Sequence, residues 1–203
     1  MSQRGRWPSG WRRVSRIEAM KIGVLAVQGN FREHVSMLRR LGGEAVQVRL
    51  PEELDGLDGL VIPAGESTAI ARLMPLYGLE DALRRFVGPV FGICAGMILL
   101  DRNHLDLVEV AVDGNACGRQ VASFEADLEL EGDAQPLRGV FIRAPRVRDT
   151  GADVEVLAEL DGEPVLLRQG RFLVASFHPE LTDDTRVHDL FLDLMREEAN
   201  VGA

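Results

Sequence analysis

With only two cysteines in 203 residues, Cys94 and Cys117, the chain cannot be a disulfide-stapled scaffold and reads as a reduced protein. It has no apolar run long enough to span a bilayer and no signal-peptide hydrophobic core, which argues for a soluble, cytoplasmic protein without a membrane partner. The histidines other than His178, namely His34, His104 and His188, keep no metal-ligand spacing, so no metal is expected. Internal repeats and low-complexity tracts are also missing. Positive charge is scarce in the body of the chain. The formal net charge is −9, yet residues 1–20 carry Arg4, Arg6, Arg12, Arg13 and Arg16 against Glu18, leaving −13 for the remainder. A body that acidic is a poor nucleic-acid binder.

What is present suffices for one good core: 46% hydrophobic residues in a chain too short for two domains. Residues 1–19 contain both tryptophans, Trp7 and Trp11, but no strand alternation and no helical stripe, and are expected to be a disordered or loosely docked extension. Met20 directly precedes the first strand and reads as a start, with 20–203 as a single domain. Apolar runs over 22–27, 45–48 and 59–62 read as strands buried on both faces. Between the first two, Asn30 with Glu33 three residues later suggests a capping box for a helix through residue 41. Helices are expected from residue 68 to about 74 and over 79–87. Strands alternating with helices imply a parallel sheet. From 108 to 177 the pattern changes to short alternating runs, including 126–130, 154–160 and 165–168, which read as antiparallel strands added to the parallel half. A closing amphipathic helix over 185–199 places Val187, Leu190, Phe191 and Leu194 on one face.

The most informative segment is Val90-Phe91-Gly92-Ile93-Cys94-Ala95-Gly96-Met97, an apolar strand, Gly-x-Cys-x-Gly, then an apolar helix. This is a nucleophile elbow with cysteine in place of serine. A lone cysteine in an apolar segment is more often a small core residue. Here glycines on both sides remove Cβ atoms that would clash in a sharp strand-to-helix turn, and the turn sets the thiol at the positive end of a helix dipole, where it tends to ionise. Cys117 has no such setting and reads as core filler. Downstream, His178-Pro179-Glu180 supplies a base and its orienting carboxylate: in an extended segment residues i and i+2 point the same way, and Pro179 holds its neighbour extended.

The elbow, the Pro63-Ala64-Gly65-Glu66-Ser67 loop and the late His178-Pro179-Glu180 together resemble the class I (triad) glutamine amidotransferases. Gly118-Arg119-Gln120, Phe141-Ile142-Arg143-Ala144-Pro145, and Gly23 to Gly29 with Arg32-Glu33-His34 are, within that group, similar to the glutaminase subunits of pyridoxal 5'-phosphate synthase. The similarity runs over essentially 20–199. It implies a flavodoxin-like three-layer α/β sandwich with a mixed, mostly parallel sheet, and hydrolysis of L-glutamine to glutamate and ammonia by Cys94, His178 and Glu180. It further implies an oxyanion hole from the backbone of Ala95 and Gly65, and a glutamine pocket involving Gly65, Glu66, Ser67, Arg119, Ile142 and Arg143. The ammonia would pass to a separate barrel-shaped synthase subunit, the partner in a hetero-oligomer, and this chain would need no cofactor of its own. The glutaminase subunit of imidazole glycerol phosphate synthase would share the triad but not the Gly-Arg-Gln and Phe-Ile-Arg-Ala-Pro segments. Cysteine peptidases and thiol stress proteins would share the elbow without needing His-Pro-Glu. Three departures stand out: Ala64 replaces the usual glycine, the segment between 100 and 108 is short, and Cys117 stands where an aromatic is expected.

Overall fold

The computed structural model describes residues 20–114, 123–130 and 133–201; the expected extension over 1–19, together with Cys117 and Arg119, lies outside them. Eleven strands and five helices are described. The main sheet is built from β1 (Lys21–Leu25), β2 (Glu44–Val48), β3 (Gly59–Ile62), β4 (Val90–Ile93), β9 (Glu155–Leu160), β10 (Glu163–Gln169) and β11 (Phe172–Ala175), in the order β2-β1-β3-β4-β11-β10-β9. The first five in that order run parallel, and β10 and β9 extend the sheet antiparallel.

Alternation along the buried strands divides the apolar side chains between two faces. Val24, Phe91, Ile93, Leu173 and Ala175 pack with α1 (Phe31–Arg40) and α5 (Arg186–Val201). Leu25, Val90, Phe172 and Val174 pack with α2 (Ser67–Leu76), α3 (Leu79–Arg85) and α4 (Ala95–Leu100). Three layers result, because a strand that is apolar on both sides must be covered on both. On α5 the four residues of the expected stripe are all buried, and each such side chain is worth roughly 1.5–3 kcal/mol of transfer free energy.

Several expectations are corrected in detail. The antiparallel strands do not all join the parallel half: β5 (Val110–Asp113) pairs β8 (Arg146–Thr150), and β6 (Ser123–Leu128) pairs β7 (Leu137–Ile142), as two separate ribbons. Helix α2 runs past Met74 to Leu76 with Pro75 inside its last turn, where the proline leaves the Ala71 carbonyl without its i+4 N–H donor. The first strand ends at Leu25 rather than 27, since the chain turns there toward the site. Asn30 precedes α1 but makes no side-chain cap hydrogen bond, its amide being used elsewhere.

Candidate active site

Three neighbouring parallel strands, β3, β4 and β11, end at one edge of the sheet, where ligands of open α/β sheets bind. The loops that follow them carry Ala64-Gly65, Cys94 and His178. The Cys94 N–H donates to the Ala175 carbonyl at 2.7 Å, which continues the β4–β11 ladder by one bond before the chain breaks away. Cys94 itself adopts φ 50° and ψ −99°, a sparsely populated conformation for a residue with a Cβ. Strain of that kind costs on the order of 1–3 kcal/mol and persists where the surroundings over-determine it. The glycines around it are required by close approach: a Cβ on Gly96 would lie 2.2 Å from the Ile62 carbonyl oxygen, and one on Gly92 would lie 2.9 Å from Gly96 carbonyl atoms. Helix α4 spans only six residues, so its dipole acts on the thiol through a single turn or so.

His178 and Glu180 meet, although not through an extended segment. Residues Pro179–Leu181 form a 3-10 turn, closed by the Leu181 N–H on the His178 carbonyl at 3.3 Å, and His178 Nδ1 lies 2.8 Å from Glu180 Oε1. The His178 N–H donates to the Val140 carbonyl at 2.8 Å, which ties this turn to β7. Both side chains are buried. Burial lowers the proton affinity of His178, but the Cys94 sulfur and the Glu180 carboxylate outweigh it and raise the pKa from 6.5 to about 9. Burial pushes Glu180 up, yet its hydrogen bond to His178, together with the His34 and His178 rings, brings it down to about 2. Nε2 of His178 makes no aligned hydrogen bond in this state, while Cys94 is close enough to act on the ring. Unliganded sites are commonly loose in this way and tighten around substrate.

Sequence reasoning missed what stands behind the pair. The Asn30 amide donates to Glu180 Oε1 at 3.2 Å, and one helical turn on, His34 places Nε2 3.5 Å from Glu180 Oε2. His34 Nδ1 in turn lies 3.1 Å from His188 Nε2, and both rings are fully buried. The signal was available in the positions: His34 adjoins the buried stripe of α1 and His188 the apolar stripe of α5.

These buried groups give stability a pH optimum. Burial lowers both histidines, His188 to about 3, so the stability they contribute is present above their unfolded value of 6.5 and is lost as pH falls. Glu180 acts in the same direction below 4.5. His178 is raised, so its contribution is complete below 6.5 and is lost as pH rises toward about 9. Thermal unfolding followed by calorimetry should therefore show a maximum in Tm around pH 6.5; His178→Asn should flatten the alkaline limb and, because Glu180 loses its hydrogen bond to His178, also weaken the acid limb.

The loop after β3 is anchored on the loop after β1. Ala64 offers its carbonyl to the Asn30 N–H at 2.9 Å, and the Glu66 N–H donates to Gln28 Oε1 at 2.8 Å. Gly29 has φ 101°, and a Cβ there would fall 1.9 Å from the Ala64 oxygen. A Cβ on Gly65 would meet Gln28 Oε1 at 2.3 Å. Ala64, in contrast, is not among the residues with positive φ and is buried, so alanine sits there without backbone strain. Glu66 and Gly65 are exposed and Ser67 is half-buried. The Glu66 carboxylate caps α2, accepting from Thr68 N at 3.1 Å and Ala69 N at 2.7 Å, and the Ala69 hydrogen bond is the main cause of its lowered pKa. Glu66 thus has a helix-capping role that the motif match alone did not indicate.

Ile142 ends β7, two residues past the carbonyl that holds His178, and Arg143 follows it with φ 44°. Arg143 is exposed, and among the described residues no carboxylate pairs with it. A strained, unpaired arginine beside a reactive loop is suited to a substrate carboxylate, which its guanidinium meets bidentately. The short segment after α4 is stapled internally: buried Asp101 accepts from Asn103 N at 2.8 Å and Val112 N at 3.2 Å, and lies 2.8 Å from His104 Nδ1. Among the described residues no helix is long and apolar enough to cross a membrane, and no cluster of three or more His, Cys, Asp or Glu could hold a metal ion.

Residues 24–197 match the SNO glutamine amidotransferase family. The chain belongs to that family. A relative from Thermosipho africanus, a pyridoxal 5'-phosphate synthase subunit PdxT, is 50% identical over 188 residues, spanning 88% of this chain and 100% of its own. The PdxT subunit of Thermus thermophilus is 53% identical over 185 residues, 85% of this chain and 96% of its own. The crystal structure of a glutamine amidotransferase superposes with a TM-score of 0.81 at 51% identity, over 86% of this chain and 98% of that one. Membership in the SNO family accords with the flavodoxin-like three-layer sheet and with a cysteine elbow facing a His-Glu pair.

Proposed function

We propose that this chain hydrolyses L-glutamine to L-glutamate and ammonia through Cys94, His178 and Glu180, and delivers the ammonia to the synthase subunit of pyridoxal 5'-phosphate synthase. The observation that carries the reading is the elbow cysteine at the end of β4 beside the buried His178–Glu180 pair in the loop and 3-10 turn that follow the adjoining strand β11. The Cys94 sulfur attacks the side-chain amide carbon, and negative charge develops on the amide oxygen. Backbone N–H groups of Ala95 and Gly65 receive that charge in the oxyanion hole. His178 gives its Nε2 proton to the departing nitrogen, so that ammonia leaves and a γ-glutamyl thioester remains. His178, now neutral, takes a proton from water; the hydroxide adds to the thioester carbon, the C–S bond breaks, and glutamate is released. Glu180 stays ionised throughout and holds the ring by Nδ1.

Gly65, Glu66, Ser67, Arg119, Ile142 and Arg143 form the glutamine pocket in this reading, with an arginine on the α-carboxylate. Arg143→Ala and Arg119→Ala should each raise the KM for glutamine, by about tenfold or more for loss of a charge-assisted bidentate contact, with a smaller change in kcat. Lysine at the same position should rescue only in part. Steady-state kinetics unchanged in both alanine variants would remove them from the pocket.

The chain acts in the cytoplasm as one glutaminase domain over 20–203. Removing residues 1–19 should leave glutaminase activity and synthase binding as they are; a loss of either would assign those residues a role. The whole reading is tested by measuring ammonia release with and without the synthase subunit, alongside copurification of the two chains. Glutamine-dependent ammonia release that rises with the synthase is expected. Absence of turnover in both conditions would contradict it.

A further inference from the structure

Two buried histidines, His34 on α1 and His188 on α5, have no part in the reaction as written, yet they continue the line from Cys94 through His178 and Glu180. We propose that they are positioning residues for the glutaminase reaction: two neutral imidazoles, each with its proton on Nε2, that fix the second oxygen of Glu180 while the first holds His178. The proposal rests on the triad reading above.

The proton positions follow from which atoms face one another. His34 Nδ1 and His188 Nε2 are 3.1 Å apart, so one donates and the other accepts. If His34 donated, its Nε2 would turn a lone pair toward the Glu180 carboxylate, and the proton of His188 would sit on Nδ1, which has no partner. That arrangement sets a lone pair against a negative charge and buries an orphaned donor. In the opposite arrangement His188 Nε2–H donates to His34 Nδ1, and His34 Nε2–H points at Glu180 Oε2, 3.5 Å away. The atom left over is then only a lone pair on His188 Nδ1. His34 Nε2 and Glu180 Oε2 have no other hydrogen-bond partner, so the two unsatisfied atoms are each other's remaining resource. At 3.5 Å the contact is longer than a formed hydrogen bond, which leaves room for it to close when substrate tightens the site.

The surroundings keep both rings neutral. Burial is the main cause for each, helped for His34 by the His178 ring and for His188 by His34 and Arg40; Glu180 opposes it at both rings, and Glu33 does so at His34. Phe91 presents an apolar ring to His188, with centroids 5.8 Å apart at 81°. Neutrality matters chemically. A charged His34 would compete with His178 for the carboxylate and weaken the base, whereas a neutral N–H orients the carboxylate and leaves its charge to His178. Asn30, one turn before His34, steadies Oε1 in the same way.

The test combines imidazole nitrogen NMR on the intact wild-type protein with kinetics of three variants. In the wild type, His34 and His188 should both appear as neutral Nε2–H tautomers between about pH 6 and 8. An Nδ1–H tautomer or a protonated ring at either position would overturn the proposal, and this measurement needs no variant to fold. His34→Phe keeps a ring but removes both nitrogens. It should lower kcat by roughly 10–100-fold with little change in the KM for glutamine. His34→Gln, which restores an N–H donor, should recover most of the loss. His188→Phe should give a smaller loss and convert His34 to a mixture of tautomers. Unchanged kcat in His34→Phe would contradict the proposal even with the expected tautomers. The triad reading fails by a separate result, turnover in Cys94→Ala, which leaves these tautomers untouched.

Discussion

Replacing Cys94 by alanine should abolish glutamine hydrolysis while leaving the fold intact. The covalent step requires a sulfur nucleophile, and no other described side chain occupies the elbow. Loss of a catalytic nucleophile costs on the order of a thousandfold or more in kcat, because the remaining binding and oxyanion contacts cannot supply the bond that must form. The fold should tolerate the change, since alanine removes one atom from a side chain that is buried but small and leaves the Ala175 hydrogen bond in place. The variant still has to adopt φ 50° at residue 94, so its stability should differ little from wild type, within about 1 kcal/mol. Ammonia release measured beside a thermal melt checks both halves. A folded Cys94→Ala protein with wild-type turnover would end the triad assignment.

The second large effect separates His178 from Glu180. His178→Asn removes what is, among the described residues, the only group placed both to protonate the leaving nitrogen and to activate water, and should cost nearly as much as loss of the cysteine. Glu180→Gln keeps the volume and one acceptor oxygen for the His178 Nδ1 proton but removes the charge. Cys94 alone then opposes burial at His178, whose pKa drops from its raised value near 9, and the ring loses its fixed orientation. A loss of roughly 10–100-fold is expected, less severe than for His178→Asn. The alkaline limb of the kcat/KM profile should also move to lower pH in Glu180→Gln. Equal activities in the two variants would contradict the roles given to them.

The elbow was legible in the sequence because its glycines answer to backbone contact: Gly96 faces the Ile62 carbonyl with no room for a Cβ, and any elbow of this shape imposes the same demand. The parallel half of the sheet was legible for a similar reason, since strands covered on both sides, such as β3 and β4, cannot carry polar residues. The ribbons β5–β8 and β6–β7 were less so. Their alternation marks them as strands, but nothing in a period-2 pattern says which partner each will take. Asn30 was misread because local capping and a contact 150 residues away compete for one amide, and the distant Glu180 wins. Glu66 shows the reverse case, a motif residue expected at the ligand whose carboxylate also caps α2. His34 entered as part of a motif of the resemblance, and His188 only as a histidine without metal-ligand spacing. Their meaning lies in a 3.1 Å contact between helices that are far apart in the chain.

The central claim, that Cys94 is the nucleophile that attacks glutamine, is tested most directly by covalent trapping. The chain, assembled with its synthase subunit, is incubated with an electrophilic glutamine analogue, and the adduct is located by peptide mass spectrometry. With only two cysteines in the sequence, the outcome is unambiguous. The account predicts stoichiometric labelling of Cys94, no labelling of Cys117, and protection by excess L-glutamine. Labelling at Cys117, or labelling of Cys94 that glutamine does not prevent, would contradict it.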